Sequence, residues 1–249
     1  MHRLLLIFDF DNTLEEFIPF EEAVESDIFE QLSQKHLIDP VKMRQIFDDI
    51  KVAYANPHAG PEDFGREAWF RETFKILHID EPVDYWVKYY WEQMFSMVRV
   101  FPGVFTTLDT LQEHHTMCIL SDSDGLREIK LARIEQLGLL KYFDHIFTSD
   151  LVGRNKPHPK MFLQVLEHYK VAAEQCVMIG DHPEVDLVTA KELGMHTVWQ
   201  KQGVAKYFGG KSYEYVDFEI DVIDELPHVI AMIEKQQPVA AAPQPLPHV

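Results

Sequence analysis

Basic residues and cysteine are both scarce in this chain, and no apolar run is long. Its 249 residues carry 23 Lys and Arg against 41 Asp and Glu, a formal net charge of −18. Nucleic-acid binding rests largely on neutralising phosphates with Lys and Arg, so this balance argues against it. A small phosphorylated partner is still compatible, because one pocket can be locally positive in an acidic protein. Cys118 and Cys176 are the only cysteines, too few for a disulfide framework in a chain of this size. Each sits in an apolar run (MCILS and CVMIG), which fits a buried thiol. No apolar stretch approaches the roughly 20 residues that span a bilayer. The opening MHRLLLIFDFD has a short apolar run cut off by aspartates, unlike a signal peptide with its cleavage site. The expectation is a cytoplasmic protein with neither membrane nor nucleic-acid partners.

What is present divides into three parts. Leu4 to Phe8 is a continuous apolar run, as in a strand buried on both faces of a parallel sheet. From about Pro19 to Val98 the apolar residues recur at helical spacing, as in Ile28 and Leu32, or Trp69, Thr73, Phe74 and Leu77. Pro40, Pro57, Pro61 and Pro82 mark breaks between helices. From about Pro102 onward, helical segments near 104–114, 126–137, 159–168 and 183–193 alternate with apolar runs at 117–120, 145–148, 176–179 and 195–199. Gly138 and Gly194 follow two of the helical patterns, where a left-handed cap is wanted. Such alternation predicts an α/β fold, a parallel sheet with helices on both faces. Residues 16–98 read as an all-helical insert, 1–15 and 99–236 as the α/β part, and 237–249, rich in Pro and Ala, as a disordered tail. No internal repeat stands out.

Four clusters carry chemistry. Asp9-Phe10-Asp11-Asn12-Thr13 follows the first strand directly, and open parallel sheets bind ligands beyond the carboxyl ends of their strands. Two carboxylates two residues apart repel each other, so a metal ion or a split between nucleophile and acid gives them a reason. A solvated Asp-rich turn would read the same way. Ser121, then Asp122, closes the next run, where a hydroxyl and backbone N–H groups can hold phosphate oxygens. Both are also ordinary turn residues. Lys156 lies in GRNKPHP, whose prolines fix where it points. In GDHPEVD, Asp181 lies at a strand end and Asp186 in the first turn of the following helix, offering hard oxygen ligands that suit Mg²⁺; helix capping is the alternative account. His158 and His182 border these clusters and are read as satisfied or exposed. The order, each cluster directly after a buried strand, decides between the readings.

The constellation resembles the haloacid dehalogenase superfamily, in its phosphatase branch with a helical cap, over roughly residues 1–235. The family's Asp-x-Asp-x-Thr is matched by Asp9, Asp11 and Thr13, its second-motif Ser by Ser121, its third-motif Lys by Lys156, and its acidic fourth motif by Asp181 and Asp186. The resemblance implies a doubly wound, Rossmann-like core with an inserted cap. It implies a phosphomonoesterase acting on a small phosphorylated metabolite. In that scheme Asp9 is the nucleophile and Asp11 the general acid and base, with Lys156 as a cation at the phosphate. Thr13, Ser121, Asp122 and Lys156 would line the phosphate site. Asp9, Asp11 through its carbonyl, Asp181 and Asp186 would hold Mg²⁺. Three departures bear on substrate preference: Asp122 where relatives often carry Asn, His158 where Asp often follows Lys-Pro, and Pro183-Glu184 after the fourth-motif Asp. A sugar phosphomutase, a dehalogenase and a non-catalytic binding protein on the same fold are the rival readings. Five aromatic residues, Tyr85, Trp86, Tyr89, Tyr90 and Trp91, are expected to pack the insert rather than line a pocket.

Overall fold

The computed structural model describes residues 3–54, 65–208 and 210–236. Pro57, Pro61 and the segment 237–249 lie outside the described residues. The chain begins with β1 (Leu5–Phe8) and a short β2 (Glu15–Glu16), followed by four helices: α1 (Ile18–His36), α2 (Pro40–Tyr54), α3 (Arg66–Leu77) and α4 (Val83–Met97). The α/β alternation then runs through β3 (Arg99–Val100), α5 (Val104–Gln112), β4 (Thr116–Ser121), α6 (Arg127–Gln136), β5 (His145–Thr148), α7 (Ser149–Val152) and α8 (Pro159–Tyr169). It continues with β6 (Cys176–Gly180), a π-helical turn (Pro183–Leu187), α9 (Val188–Glu192), β7 (His196–Gln200), α10 (Ala205–Phe208), β8 (Phe218–Ile220) and α11 (Leu226–Gln236).

Six strands form one sheet in the order β5-β4-β1-β6-β7-β8, and every pairing in it is parallel. The continuous apolar run of β1 is explained by its place between β4 and β6. Strand side chains alternate between faces, and the two faces of β1 feed two separate cores. Leu4, Leu6 and Phe8 pack with Val104, Leu108, Ile134 and Ile230. Leu5 and Ile7 pack with Cys118, Leu120, Met161, Phe162 and Ala190. Helices therefore cover both sides, and the fold is a doubly wound α/β sheet with an inserted helical layer. Both cysteines are free and buried, Cys118 among Leu5, Ile7 and Phe147 and Cys176 in the same cluster.

The inserted helices have a third core of their own, built on Ile28, Leu32, Phe47, Phe70, Tyr90 and Met94. Trp86, Tyr90 and Trp91 are buried in it, with Tyr89 packed against it, while Tyr85 is exposed. The aromatic run is mainly packing, but the expectation that it lines no pocket fails in part, since Tyr85 and Trp86 border a surface pocket beside Pro82 and Trp91 borders another beside Arg66 and Asp124. Pro40 opens α2 and Pro82 precedes α4, where proline's fixed φ and missing N–H cost a helix least. The insert leaves and rejoins the sheet through a two-stranded antiparallel ribbon, Glu15 opposite Val100 and Glu16 opposite Arg99. Where the insert comes back over the loop after β4, Gly125 (φ +90°) faces the Cα of Gly65. A β-carbon at Gly125 would meet that backbone at 2.8 Å, so the close approach needs a glycine. Among the described residues no helix is long and apolar enough to cross a membrane.

Candidate active site

The carboxyl ends of β1, β4 and β6 lie side by side, because these three strands are neighbours in the sheet. The Asp9 N–H donates to the Ile179 carbonyl at 2.8 Å, extending the ladder by one residue and fixing Asp9 at the strand mouth. Asp181 follows Gly180 at the end of β6, and Asp186 sits in the π-helical turn beyond it. Lys156 arrives from the loop between α7 and α8. Its ammonium lies 2.6 Å from Asp9 Oδ1 and 2.7 Å from Asp186 Oδ1. The Thr13 hydroxyl contacts Asp9 Oδ2 at 3.1 Å and Asp181 Oδ1 at 3.4 Å. Asp186 Oδ2 in turn accepts the His182 N–H at 3.0 Å. All of these side chains except His182 are buried.

Ser121 and Asp122 complete the rim. The Ser121 hydroxyl donates to the Asp122 carbonyl at 3.3 Å, and Asp122 Oδ1 accepts the Lys156 N–H at 2.9 Å. Asp122 thus ties the β4 loop to the lysine loop. His158 accepts the Lys160 N–H on Nδ1 and caps α8, in keeping with a satisfied histidine.

The charges of this cluster do not balance. Asp9, Asp181 and Asp186 each present a carboxylate oxygen, and the three lie within 4.8 Å of one another. Lys156 is the cation that bridges two of them. Burial, with Asp186 and Asp11 adding to it, outweighs Lys156 and pushes the Asp9 carboxyl up to about 6. Burial and the neighbouring carboxylates of Asp186 and Asp9 likewise raise Asp181 well above the ordinary range. Burial disfavours the Lys156 ammonium, but Asp186, Asp9 and Asp122 outweigh it and strengthen its hold on the proton. Two unit charges 4 Å apart interact by about 4 kcal/mol at an effective dielectric of 20, so a third uncompensated carboxylate is a strong reason for a further cation. The donor set is all oxygen and compact, which fits a small hard divalent ion such as Mg²⁺. Asp9, Asp181 and Asp186 are the side chains that would hold it.

Asp11 is placed differently. Its side chain turns from the Asp9 cluster toward α6, where Lys130 bonds to Oδ2 and Arg133 Nη2 donates to Oδ1 at 2.6 Å. Burial works to raise the Asp11 carboxyl, yet Arg133 and Lys130 overcome it and hold it well below the usual carboxylate range. Arg133 also bonds Glu15 at 2.7 Å and Asp124 at 2.8 Å. Burial drives Glu15 well above its ordinary value, against the pull of Arg133. Asp124 reaches the insert as well, lying 3.4 Å from Nη1 of Arg66. The Arg66 guanidinium in turn bonds Glu21 and Tyr90 and stacks on Trp69 and Trp91.

Glu15, Arg66, Asp124, Lys130 and Arg133 were not among the residues the sequence pointed to. One signal was available. Lys130, Arg133 and Ile134 share a helical stripe at i, i+3 and i+4, and Arg66 heads the stripe Trp69, Phe70, Thr73, Phe74. A cation on an apolar stripe is a cation that folding buries.

Comparison with known proteins agrees with this architecture. Residues 6–200 match the model of the family described as haloacid dehalogenase-like hydrolase. The chain is 28% identical to the glyceraldehyde 3-phosphate phosphatase of Pyrococcus furiosus over 95% of both chains. Among solved structures it is similar to a haloacid dehalogenase (HAD) phosphatase from Thermococcus onnurineus (TM-score 0.68, 26% identity, 91% of this chain and 97% of that one). It is similar also to a 2-haloacid dehalogenase from Pseudomonas syringae (TM-score 0.66, 25% identity, 92% and 99%).

Proposed function

The chain belongs to the haloacid dehalogenase-like hydrolase family, and within that family we propose that it is a magnesium-dependent phosphomonoesterase with Asp9 as nucleophile. The observation that carries this reading is the cluster of Asp9, Asp181 and Asp186 around one lysine, with more carboxylate than the protein's own cations offset. A phosphatase needs a cation there for its anionic substrate. A dehalogenase opening a carbon–halogen bond on Asp9 needs neither the metal ligands nor Asp11, so the site favours the phosphatase although the fold serves both.

Residues carry the reaction as follows. Asp9 attacks phosphorus, the ester P–O bond breaks, and an aspartyl-phosphate forms, dividing one hard step into two. To act as the acid, Asp11 must leave Lys130 and Arg133, turn toward Asp9 and take up a proton, which it then gives to the departing alkoxide oxygen. It then takes one from the water that attacks the aspartyl-phosphate, freeing inorganic phosphate and restoring Asp9. Lys156 and the Ser121 hydroxyl stabilise the phosphoryl oxygens, and Thr13 orients Asp9. Asp122 holds the backbone of Lys156 in place. Asp9, Asp181, Asp186 and the Asp11 carbonyl would hold a divalent cation, which would supply Lewis acidity and neutralise charge between substrate and carboxylates. Its binding also requires the raised carboxyls of Asp9 and Asp181 to release their protons.

Residues 16–98 serve as a cap that excludes water and selects the leaving group. The substrate class is a small phosphorylated metabolite, supported by the Pyrococcus relative, whose name is that of a triose phosphate phosphatase. The test is a panel of small phosphate esters, glyceraldehyde 3-phosphate included, assayed for phosphate release beside a 2-haloacid assayed for halide release. Metal-dependent phosphate release is the expected result. Halide release without phosphate release would reverse the assignment, and phosphate moved to a second sugar hydroxyl instead of water would make the protein a mutase.

A further inference from the structure

Where the inserted helices meet the sheet domain they leave a cavity of about 480 Å³. Val87 and Trp91 of α4 line it from the insert. Leu126 and Ile129, at the N-terminal end of α6, line it from the sheet domain. Arg66 and Asp124 supply its buried polar groups, and the exposed ion pair of Glu67 and Arg71 also borders it. Apolar side chains facing each other across a gap ordinarily close it, because interiors pack with few voids. Here two contacts brace the walls. The Arg66 guanidinium lies 3.4 Å from Asp124, and Gly125 already meets the backbone of Gly65 too closely for a β-carbon. Val87 and Ile129 stay half-buried and Leu126 is 60% exposed, leaving apolar surface of the kind that small-molecule sites present.

The cavity lies within reach of the phosphate site. Asp124 follows Ser121 by three residues, so the chain places them no more than about 11 Å apart. Between them, Asp122 accepts the Lys156 N–H at 2.9 Å, which fixes the near end of this loop beside the proposed phosphoryl site. An ester covers such a span from its phosphorus to a ring on the departing alcohol.

Size and chemistry narrow that alcohol. A triose has about six non-hydrogen atoms and, at about 30 Å³ each, the share of a water in the liquid, would fill well under half of the cavity. Its hydroxyls would also lie against Val87, Leu126 and Ile129, which offer them no side-chain partner. A planar ring presents an apolar face to each wall and keeps its polar atoms at the edge.

We propose that this cavity receives the leaving group of the ester, and that the leaving group carries a planar ring. This rests on the phosphatase reading, and it narrows the substrate class from small phosphorylated metabolites to ring-bearing esters. Val87, Leu126 and Ile129 are then specificity-determining residues that take no part in the chemistry.

Benzyl phosphate, adenosine 5′-monophosphate and glyceraldehyde 3-phosphate all release a primary alkoxide, so they differ chiefly in what the cavity must hold. Benzyl phosphate or adenosine 5′-monophosphate is expected to exceed glyceraldehyde 3-phosphate in kcat/KM by about tenfold or more, the scale on which a hydrophobic pocket discriminates by a single methylene. Ile129→Trp, which fills the cavity, should cancel most of that advantage, chiefly through KM. Leu126→Trp reads the same effect from a largely exposed position and serves if Ile129→Trp does not fold. Glyceraldehyde 3-phosphate hydrolysed as well as both ring esters, or an advantage untouched in the folded variants, would overturn the inference and leave the phosphatase reading intact. No phosphate from any ester, 4-nitrophenyl phosphate included, would fail the phosphatase reading itself and this inference with it.

Discussion

A β-carbon placed on Gly180 would fall on the Asp186 carboxylate, so the two residues can occupy their positions only if residue 180 has no side chain. Gly180 has an ordinary negative φ, and what it supplies is space at the end of β6. Asp186 uses that space to lie against the strand mouth, with Lys156 on one oxygen and the His182 N–H on the other.

Gly180→Ala is therefore expected to displace Asp186. Overpacking costs on the order of 1–3 kcal/mol, and disturbing a metal ligand's support costs roughly 10- to 100-fold in metal affinity. Titration calorimetry with magnesium reads the second effect directly. Wild-type affinity in a folded Gly180→Ala protein would remove Asp186 from the proposed metal set.

Asp11→Asn keeps the side chain's shape and its backbone carbonyl but cannot carry the proton. Turnover is expected to fall by about 10²–10⁴ with magnesium binding retained. Steady-state kinetics beside calorimetry checks both halves, and unchanged turnover would dismiss Asp11 as acid and base.

Asp122 gives the protein a pH dependence with a definite sign. Its carboxyl is pushed up to about 7 by burial first, with Asp9 and Asp186 adding and Lys156 opposing. In the unfolded chain it titrates near the ordinary value of about 4. Between those limits the folded state keeps a proton that the unfolded state has lost. The resulting stability is complete below about pH 4 and is lost as pH rises through about 7. Melting temperatures of the chelated protein should fall across that window, and Asp122→Asn should lessen the fall. Parallel curves for the two proteins would contradict this placement of the charge.

Asp124 holds the inserted helices to the sheet domain through ions, since Arg66 lies on one of its oxygens and Lys130 and Arg133 on the other. Asp124→Ala leaves buried cations short of a partner and is expected to cost about 3–5 kcal/mol. Denaturant unfolding measures it; a loss under about 1 kcal/mol would mean that the pairs contribute as little as surface ones do.

How far the sequence discloses this arrangement follows from what each residue does. Asp9, Ser121 and Asp181 were legible because buried strands announce themselves as apolar runs, and side chains at their carboxyl ends share one rim. The expected runs at 117–120, 145–148, 176–179 and 195–199 correspond closely to β4, β5, β6 and β7. The segment read as one helix over 183–193 begins instead as a π-helical turn, which sets Asp186 on the site side of the chain. The turning of Asp11 was not legible. The stripe of Lys130, Arg133 and Ile134 signals burial, but only the three-dimensional approach of Glu15, Asp124 and α6 shows which partners these cations meet. Arg66 likewise heads an apolar stripe, but its partners Glu21, Tyr90 and Asp124 come from elements that meet only in the fold.

The most direct test of the account is hydrolysis of 4-nitrophenyl phosphate by the wild-type protein in magnesium, by the same protein in chelator, and by Asp9→Asn in magnesium. The account predicts activity in the first case and almost none in the other two. Activity that persists in Asp9→Asn would contradict the assignment of Asp9 as nucleophile.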